Sequence, residues 1–478
     1  MIFAIILLIL LVLVLGFILI RTLMFVPKDN IKPDSEEIMV DKEKVVNSLC
    51  SLIRCKTVSS RDSSLEDEAE FQKLIDSLPT LFPKVFEICE FKEFDDRGIL
   101  LKWKGKKSDE PTVLMSHFDV VPAAEEYWEK PAFEGIIEND VIWGRGTLDT
   151  KSTLNASLSA AEHLINDGFV PQNDIYFAFS GGEEINGNGA VHIVDYFYEN
   201  NIVPALVLDE GGAVVENVFP GVKGSCGLIG IAEKGMMDVL YKTKSNGGHA
   251  SAPKPHTPVG ILSDACCKME SKPFKYHIAK PVAAMFDTLG RHSTFVYRMI
   301  FANLWCFGPV LNIIAKKSGG DMNALLRTTV AFTQMKGSNA PNVIPPEASM
   351  VSNIRLNPED NMDSALEYIK KTINNPEVDV SIIQGVNPSR ISRIDCKSYE
   401  KIESAVASTW NGTIVSPYLM VQCSDSRHYG RISDKVYRFS AMDLTSEERA
   451  TIHGHNERIR ISTVLKSVEF YIRLIKQC

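Results

Sequence analysis

The chain has 478 residues, of which 45% are hydrophobic, and a formal net charge of −9 at pH 7. This length and composition are typical of a globular protein of two or more domains with a large core. The sequence contains no block of basic residues, which argues against a nucleic-acid partner. Its ten cysteines include no CxxC pair, so nothing indicates a zinc-finger or thioredoxin-like site.

The first predicted element is an apolar helix over residues 2–20, which carries no charge before Arg21. At ~1.5 Å rise per residue, this segment can cross the roughly 30 Å hydrocarbon core of a membrane. A cleaved signal peptide is the alternative, but the segment lacks a basic start and a small-residue cleavage site. We therefore predict an uncleaved membrane anchor at 2–20 and a polar linker at 21–41. The basic residues after the span favour a cytoplasmic body, and the opposite orientation stays open.

Strands and helices alternate along residues 42–231. Apolar strands such as "PTVLMSHFDV", "DIYFAFS" and "ALVLDE" are separated by amphipathic helices such as "STLNASLSAAEHLINDGF". The alternation resumes over residues 388–478 and ends in a helix. This pattern predicts an α/β fold in which a mostly parallel sheet carries helices on both faces.

Residues 232–387 interrupt this pattern. Strands such as "MMDVLYKTKS" and "SMVSNIRL" alternate apolar and polar residues, which predicts a smaller α+β domain inserted into the larger one. Within it, residues 295–314 are strongly apolar. Arg298, Asn303 and the Gly308-Pro309 pair argue against a second membrane span. We predict a helical insert that packs on the protein or on a partner.

Polar side chains follow the apolar strands at the points where the strands end. Because the carboxyl ends of strands in an open α/β sheet form the ligand crevice, we expect these side chains to converge. A single catalytic zinc needs three protein ligands and an open position, whereas this set contains more donors. The surplus suits two metal ions bridged by one carboxylate. The candidate residues are His117, Asp119, Asp149, Glu183, Glu184, Asp209 and His453.

Five motifs in the order HxDVVPA, GRGxxDxK, GGEE, LDEGG and HGxNE carry a family resemblance. Together they resemble the di-zinc amidohydrolase family of aminoacylase, carboxypeptidase S and succinyl-diaminopimelate desuccinylase. The resemblance covers residues 42–478 and implies two zinc ions, with cobalt or manganese as alternatives. It also implies that Asp119 orients the His117 ring and that Glu183 is the general base.

The same resemblance implies how the metal ligands are divided. His117 and Asp209 would hold one zinc, while Glu184 and His453 would hold the other. Asp149 would bridge the two ions. The nearby His455 is not matched by the motif and is interpreted as a bystander.

The inserted domain is expected to contribute residues to the reaction. His249 in "NGGHASAP" matches the family's lid histidine, which reaches across a homodimer and donates a hydrogen bond to the oxyanion. Asn342 and Arg355 match positions that bind the substrate carboxylate, for which an arginine fork is well suited. The resemblance therefore implies a homodimer formed through the inserted domain, which acts as lid and dimerisation domain.

The segments "NLWCFGPVLNIIAKK" and "SDSRHY" resemble carboxypeptidase S and the enzymes that make and break N-fatty-acyl amino acids. On this interpretation the apolar insert lines an acyl-chain groove or forms a dimer surface. One departure is "VQCSD", with Cys423-Ser424 where many relatives have a glycine-rich GGTD. We predict a membrane-anchored zinc amidohydrolase that cleaves a peptide or N-acyl amide beside a free carboxylate. A dipeptidase or deacylase for polar acyl groups and a catalytically silent binding protein are the alternatives.

Overall fold

The computed structural model describes residues 1–28, 33–34, 36–217 and 219–478. Its first helix, α1, spans Ile2–Met24 and so continues past the predicted end of the anchor. This helix is long and apolar enough to cross a membrane, with a mean hydropathy of 3.6, a property that an N-terminal signal sequence shares. Residues 29–32 and 35 of the predicted linker lie outside the described residues.

Among its described residues, the first part of the chain after the linker contains five α-helices and eight strands. They are, in chain order, α2 (Lys42–Ile53), α3 (Glu68–Leu81), α4 (Pro83–Ile88), β1 (Glu90–Phe94), β2 (Gly98–Trp103), β3 (Lys107–His117), β4 (Ile136–Glu138), β5 (Val141–Trp143), α5 (Lys151–Asn166), β6 (Asn173–Ser180), α6 (Gly189–Glu199), β7 (Leu206–Glu216) and β8 (Ser225–Glu233).

The following segment leaves the large sheet and returns to it. It contains β9 (Gly235–Lys244), β10 (Gly248–His249), α7 (Pro258–Ser271), α8 (Lys280–His292), α9 (Phe295–Ala302), α10 (Leu304–Ser318), α11 (Gly320–Leu326), β11 (Thr329–Lys336), β12 (Val343–Ile344), β13 (Glu347–Leu356), α12 (Met362–Ile373) and β14 (Asp379–Val386).

The last part returns to the large sheet and completes it. It contains α13 (Lys397–Thr409), β15 (Ile414–Met420), β16 (Val436–Leu444), α14 (Ser446–Arg449), β17 (Arg458–Arg460) and α15 (Ile461–Ile475).

The large sheet has eight strands in the order β1-β2-β6-β3-β7-β16-β8-β15. Its centre is parallel, because β3 pairs in parallel with both β6 and β7, and β16 pairs in parallel with β7. The β1-β2-β6 edge is antiparallel, and β16 meets β8 antiparallel. The predicted α/β class is confirmed, but the sheet is mixed rather than mostly parallel. Periodicity identifies a strand without giving the direction of its partner.

Both faces of the large sheet are covered, as predicted. On β3, Leu114 packs in the main hydrophobic core, which includes α5 and α15. Its neighbours Val113 and Met115 pack in a second cluster with Ile193 and Phe197 of α6. This division follows from the alternation of side chains along a strand. Four parallel strand ends therefore meet at one open edge of a sheet that is buried on both faces.

The inserted segment divides between two cores. Strands β9, β13 and β14 and helices α7 and α12 share a separate cluster that includes Met237, Leu262 and Ile369. Helices α8 to α11 instead contribute Val282, Phe286 and other residues to the main core. The four-stranded sheet β11-β13-β9-β14 is thus the body of the insert, and residues 280–326 pack on the part of the protein that contains the large sheet. The predicted limits of the insert at 232 and 387 stay a prediction.

Candidate metal centre and active site

Asp149 lies between two histidines that come from distant parts of the chain. Its Oδ1 lies 3.0 Å from His117 Nε2, and its Oδ2 lies 2.9 Å from His453 Nε2. The His117 Nδ1 lies 3.0 Å from the Asp119 carbonyl oxygen, which can only accept, so this nitrogen carries a proton and Nε2 is the nitrogen that faces Asp149. Each oxygen of one carboxylate therefore faces a different imidazole nitrogen, which is the arrangement expected of a bridging ligand.

The two adjacent glutamates of the SGGEE motif have different partners. Glu184 Oε1 lies 3.1 Å from His453 Nε2, whereas Glu183 belongs to a group with His117 and Glu210. The backbone N–H groups of Glu183 and Glu184 both donate to the Asp119 carboxylate, at 3.1 Å each. Asp119 is fully buried, and these two hydrogen bonds hold the turn in place. Its Oδ1 also lies 3.3 Å from His117 Nδ1.

The LDEGG motif is placed differently from its sequence-based assignment. Asp209 is buried and accepts a hydrogen bond from the Ser426 backbone N–H at 2.9 Å. Its neighbour Glu210 lines a cleft together with Asp149, Glu184 and His453, which is called the metal cleft below. Glu210 Oε1 lies 3.4 Å from His117 Nε2. Successive side chains on a strand point in opposite directions, so only one of the two can face the site. Glu210 was not singled out from the sequence because the motif does not show which face each acid takes.

The glycines after Glu210 let the neighbouring strands approach closely. A Cβ at Gly212 would lie 1.7 Å from the Leu228 carbonyl oxygen, so no other residue fits between β7 and β8 without movement of the backbone. This close packing explains the glycines of LDEGG, which follow Glu210 directly.

Buried acidic groups are crowded around the two histidines. Burial raises the pKa of Glu183 well above its ordinary value and raises the pKa of Glu210 to about 8. Hydrogen bonds to Asp149 and Glu184 raise the pKa of His453 to about 10. Burial opposes protonation of His117, yet Glu210, Asp119 and Asp149 hold its pKa well above the usual range. The site thus concentrates negative charge that divalent cations would balance, and its oxygen and imidazole donors fit such ions.

A buried ion pair behind Asp149 was not predicted as part of the site. Arg145 Nη1 lies 2.6 Å from Glu457 Oε2, and both side chains are buried. Glu457 Oε1 also accepts hydrogen bonds from the backbone N–H groups of Leu148 and Asp149, at 2.7 and 3.3 Å. Both residues belong to quoted motifs, GRGxxDxK and HGxNE, but a contact across 312 positions cannot be inferred from spacing alone. The pair holds the backbone that presents Asp149.

We expect Glu457→Gln to destabilise the protein by about 3–5 kcal/mol, because Arg145 would remain buried without a counter-charge. Thermal unfolding of the detergent-solubilised chain would measure the loss. The matched control is Glu447→Gln, whose exposed carboxylate pairs with Arg458 and should contribute little. Equal melting temperatures for the two variants would contradict the role given to Glu457.

The metal donors open into a cleft of about 580 Å³. Part of its wall is apolar, formed by residues that include Leu228, Met420, Met442, Leu444 and Ile452. None of the described residues that line it comes from the apolar segment 295–314. The nearest contribution from that region is Asp321, on α11.

The predicted substrate-binding residues lie on the insert. Arg355 on β13 is half-buried and donates to the Sγ of Cys423 at 3.7 Å, and Cys423 itself lines the metal cleft. The departure from the glycine-rich motif at Cys423-Ser424 thus lies where the insert meets the cleft. Asn342 is exposed, and its carbonyl oxygen accepts from Ala250 N at 3.0 Å.

His249 lies on the two-stranded ladder of β10 and β12, exposed and outside the lining of the metal cleft. Its Nδ1 accepts a hydrogen bond from the Ser251 backbone N–H at 3.1 Å, which leaves Nε2 as the donor. His455 packs against the ring of Tyr127, with ring centroids 5.2 Å apart. The structure therefore brings together the histidines and carboxylates of the metal centre, while His249 stays apart from them.

Residues 113–477 match peptidase family M20/M25/M40. The chain belongs to this family. Among its relatives, the probable carboxypeptidase S-like 2 of Dictyostelium discoideum is 35% identical over 429 residues, covering 88% of this chain and 82% of that protein. The N-fatty-acyl-amino acid synthase/hydrolase PM20D1 of Xenopus tropicalis is 33% identical over 442 residues, covering 91% and 86%.

A solved structure supports the same fold. The M20 family metallo-carboxypeptidase Sso-CP2 from Sulfolobus solfataricus superposes with a TM-score of 0.66 at 17% identity, covering 90% of this chain and 98% of that one. The predicted family is thus confirmed, in the predicted branch near carboxypeptidase S and the N-fatty-acyl amino acid hydrolases. The protein is an M20 hydrolase acting on peptide or acyl-amino acid bonds, with a candidate metal site.

Proposed function

We propose that this protein is a membrane-anchored, zinc-dependent amidohydrolase that releases an amino acid from an N-acyl amino acid or a short peptide. The observation that carries the proposal is the position of Asp149, whose two oxygens face His117 and His453 separately. This arrangement supports a two-metal site at the edge of the sheet.

The residues divide into two ligand sets that share Asp149. His117 and Glu210 would hold one ion, with Glu210 in the place first given to Asp209. Glu184 and His453 would hold the other. Zinc ions held here would supply Lewis-acid polarisation of the amide carbonyl and a lower pKa for water.

Glu183 would act as the general base and acid. Its burial raises its pKa well above the usual range, so the carboxylate is a stronger base than an exposed glutamate. It takes a proton from the attacking water and returns that proton to the departing nitrogen. Asp119 accepts from the Glu183 backbone N–H and so holds this carboxylate in position.

The insert would bind the carboxylate that every such substrate carries. Arg355 contacts Cys423, which lines the cleft. The Arg355 guanidinium can bind a carboxylate through two parallel hydrogen bonds. Asn342 would assist it. His249 has a donor Nε2, which would stabilise the oxyanion after lid closure or from a second subunit in a homodimer.

We expect Arg355→Lys to raise KM roughly tenfold with little change in kcat, because one of two charged hydrogen bonds is lost. Steady-state kinetics on an N-acyl amino acid would measure it. The control substrate is the matching amide, which lacks the carboxylate. Wild type and variant should have the same KM for this amide. An unchanged KM for the free acid would remove Arg355 from the substrate site.

An apolar acyl group is favoured over a polar one. The wall formed by Leu228, Met442, Leu444 and Ile452 offers hydrocarbon contact beside the metal donors. A relative at 33% identity is named for N-fatty-acyl amino acids, which supports the same substrate class. Polar dipeptides remain the alternative substrates.

The deciding experiment measures amino-acid release by the full chain in detergent, supplied with zinc. The panel contains N-acyl amino acids of increasing chain length together with free and blocked dipeptides. Release that increases with acyl length supports the proposal, and release from dipeptides alone supports the alternative. No release with two metals bound would contradict hydrolysis and leave a silent binding protein. Removal of metal by a chelator should abolish release, and zinc should restore it.

A further inference from the structure

Helices α9 and α10 expose apolar side chains on the outside of the protein. The two helices meet at Asn303 and are bent by 111° relative to each other. Val310, Ile313 and Ile314 share one face of α10 by their spacing, and Ile313 is 65% exposed. Trp305 on α10 and Val296 on α9 are also exposed. Soluble proteins seldom leave so many large apolar side chains together in water, so this face needs a covering partner.

The anchor helix packs directly on this region. The amide of Asn303 donates to the Ile18 carbonyl oxygen and to Thr22 Oγ1, at 3.3 Å each. Arg21 Nη2 donates to the Ala302 carbonyl oxygen at 2.9 Å. Ile18 and Thr22 are the two buried residues of α1, so the described contacts of the helix are concentrated here.

These contacts set the depth at which α9 and α10 lie relative to a bilayer that α1 crosses. Residues 2–20 precede the first charge, and at ~1.5 Å per residue they match the roughly 30 Å hydrocarbon core. Phe17, whose ring lies 6.1 Å from that of Trp305, is therefore close to the hydrocarbon boundary. Tryptophan is favoured at this boundary. Exposed Lys316 and Lys317 end α10 and suit the headgroups of anionic lipids.

We infer that α9 and α10 form a membrane-contacting platform whose apolar face lies in the bilayer surface beside α1. This inference rests on the proposed membrane anchoring by α1. It extends the proposed function, because α11 follows α10 directly and its Asp321 lines the metal cleft. The platform holds the cleft next to the membrane, where amino acids with long acyl chains partition. The apolar face of α9 and α10, for which a dimer surface was one interpretation, is on this inference covered by lipid.

The test uses the two exposed cysteines of the full chain, Cys306 on α10 and Cys267 on α7. Cys267→Ser leaves Cys306 for labelling with an environment-sensitive fluorophore, and Cys306→Ser leaves Cys267 as the control. In the chain lacking both cysteines, Ile314→Cys places a probe near the far end of α10. The chain with Cys267→Ser and Cys306→Ser but without Ile314→Cys measures the background labelling of the other cysteines. Each chain is reconstituted in phosphatidylcholine and phosphatidylserine vesicles, and its resistance to carbonate extraction is recorded.

Lipids carrying spin labels should quench the probes at positions 306 and 314 but not the probe at Cys267. A probe at 314 that soluble quenchers reach freely would overturn the platform even if the chain resists extraction. A blue-shifted probe at 314 that lipids do not quench would assign the face to a second protein and also overturn it. Extraction of the chain by carbonate would overturn the anchoring on which it rests. None of these readouts depends on catalysis, so failure to hydrolyse any substrate is a separate result.

A second measurement tests the consequence for substrates. Ile313→Asp with Ile314→Asp places charge on the apolar face without changing any residue of the metal cleft. In vesicles, hydrolysis of a long-chain N-acyl amino acid should fall relative to wild type, while hydrolysis of a soluble N-acetyl amino acid stays the same. Equal rates for the long-chain substrate in both chains would contradict delivery of substrate from the membrane.

Discussion

Replacement of Glu183 by glutamine is expected to lower kcat by roughly 10²–10⁴-fold, the usual contribution of a general acid–base group. Glutamine keeps the shape of the side chain but cannot accept the proton of the attacking water. The Asp119 hydrogen bonds to the backbone of Glu183 and Glu184 do not involve the substituted group, so the turn should remain in place. Amino-acid release and metal content are the measurements.

Two comparisons separate loss of the base from loss of the metal. Glu183→Gln should retain both metal ions, as measured by elemental analysis of the purified chain. Glu126→Gln, at an exposed position that does not line the metal cleft, should have wild-type activity and controls for handling. A Glu183→Gln chain that lacks one metal would identify Glu183 as a ligand, and one with full activity would remove it from the mechanism.

The sequence predicted those parts of the site that depend on strand ends. Apolar runs located β3, β6 and β7, and His117 at the end of β3 and Glu184 just after β6 do lie close to Asp149. His453 contacts both Asp149 and Glu184. The antiparallel edge β1-β2-β6 was not predictable, because hydrophobic alternation is the same for either direction of pairing. The Arg145–Glu457 pair was missed for a related reason, since it joins two loops that only the complete fold brings together.

The apolar segment 295–314 illustrates a different limit. Its composition predicted a helix that packs on the protein or a partner, and α9 and α10 do pack on α1. Composition could not show which face remains outside. In the structure the two helices are bent by 111° at Asn303, whose amide contacts the anchor helix, and Ile313 and Ile314 are left exposed.

Glu210→Gln and Asp209→Asn test which of these two adjacent side chains of β7 faces the metal cleft. The two substitutions should have opposite effects on metal binding. Loss of the Glu210 carboxylate should weaken one metal site by more than the roughly 10–100-fold that an outer-shell change costs. Asp209→Asn should keep both ions and most of the activity, because an amide oxygen can still accept from Ser426 N. Metal titration of the two chains, with activity measured at each step, distinguishes them.

The comparison is sharp because the two acids are adjacent and of the same charge, although Asp209 is buried and Glu210 is half-buried. Effects of net charge or of general destabilisation would therefore be similar in both variants. If Asp209→Asn lost a metal and Glu210→Gln did not, the assignment from the LDEGG motif would be correct and the strand would be turned by one residue. A strand turned in this way would also move Glu210 away from His117, whose Nε2 now lies 3.4 Å from Glu210 Oε1. Retention of both metals by Glu210→Gln would thus change the ligand set of the first ion while leaving the bridge at Asp149 intact.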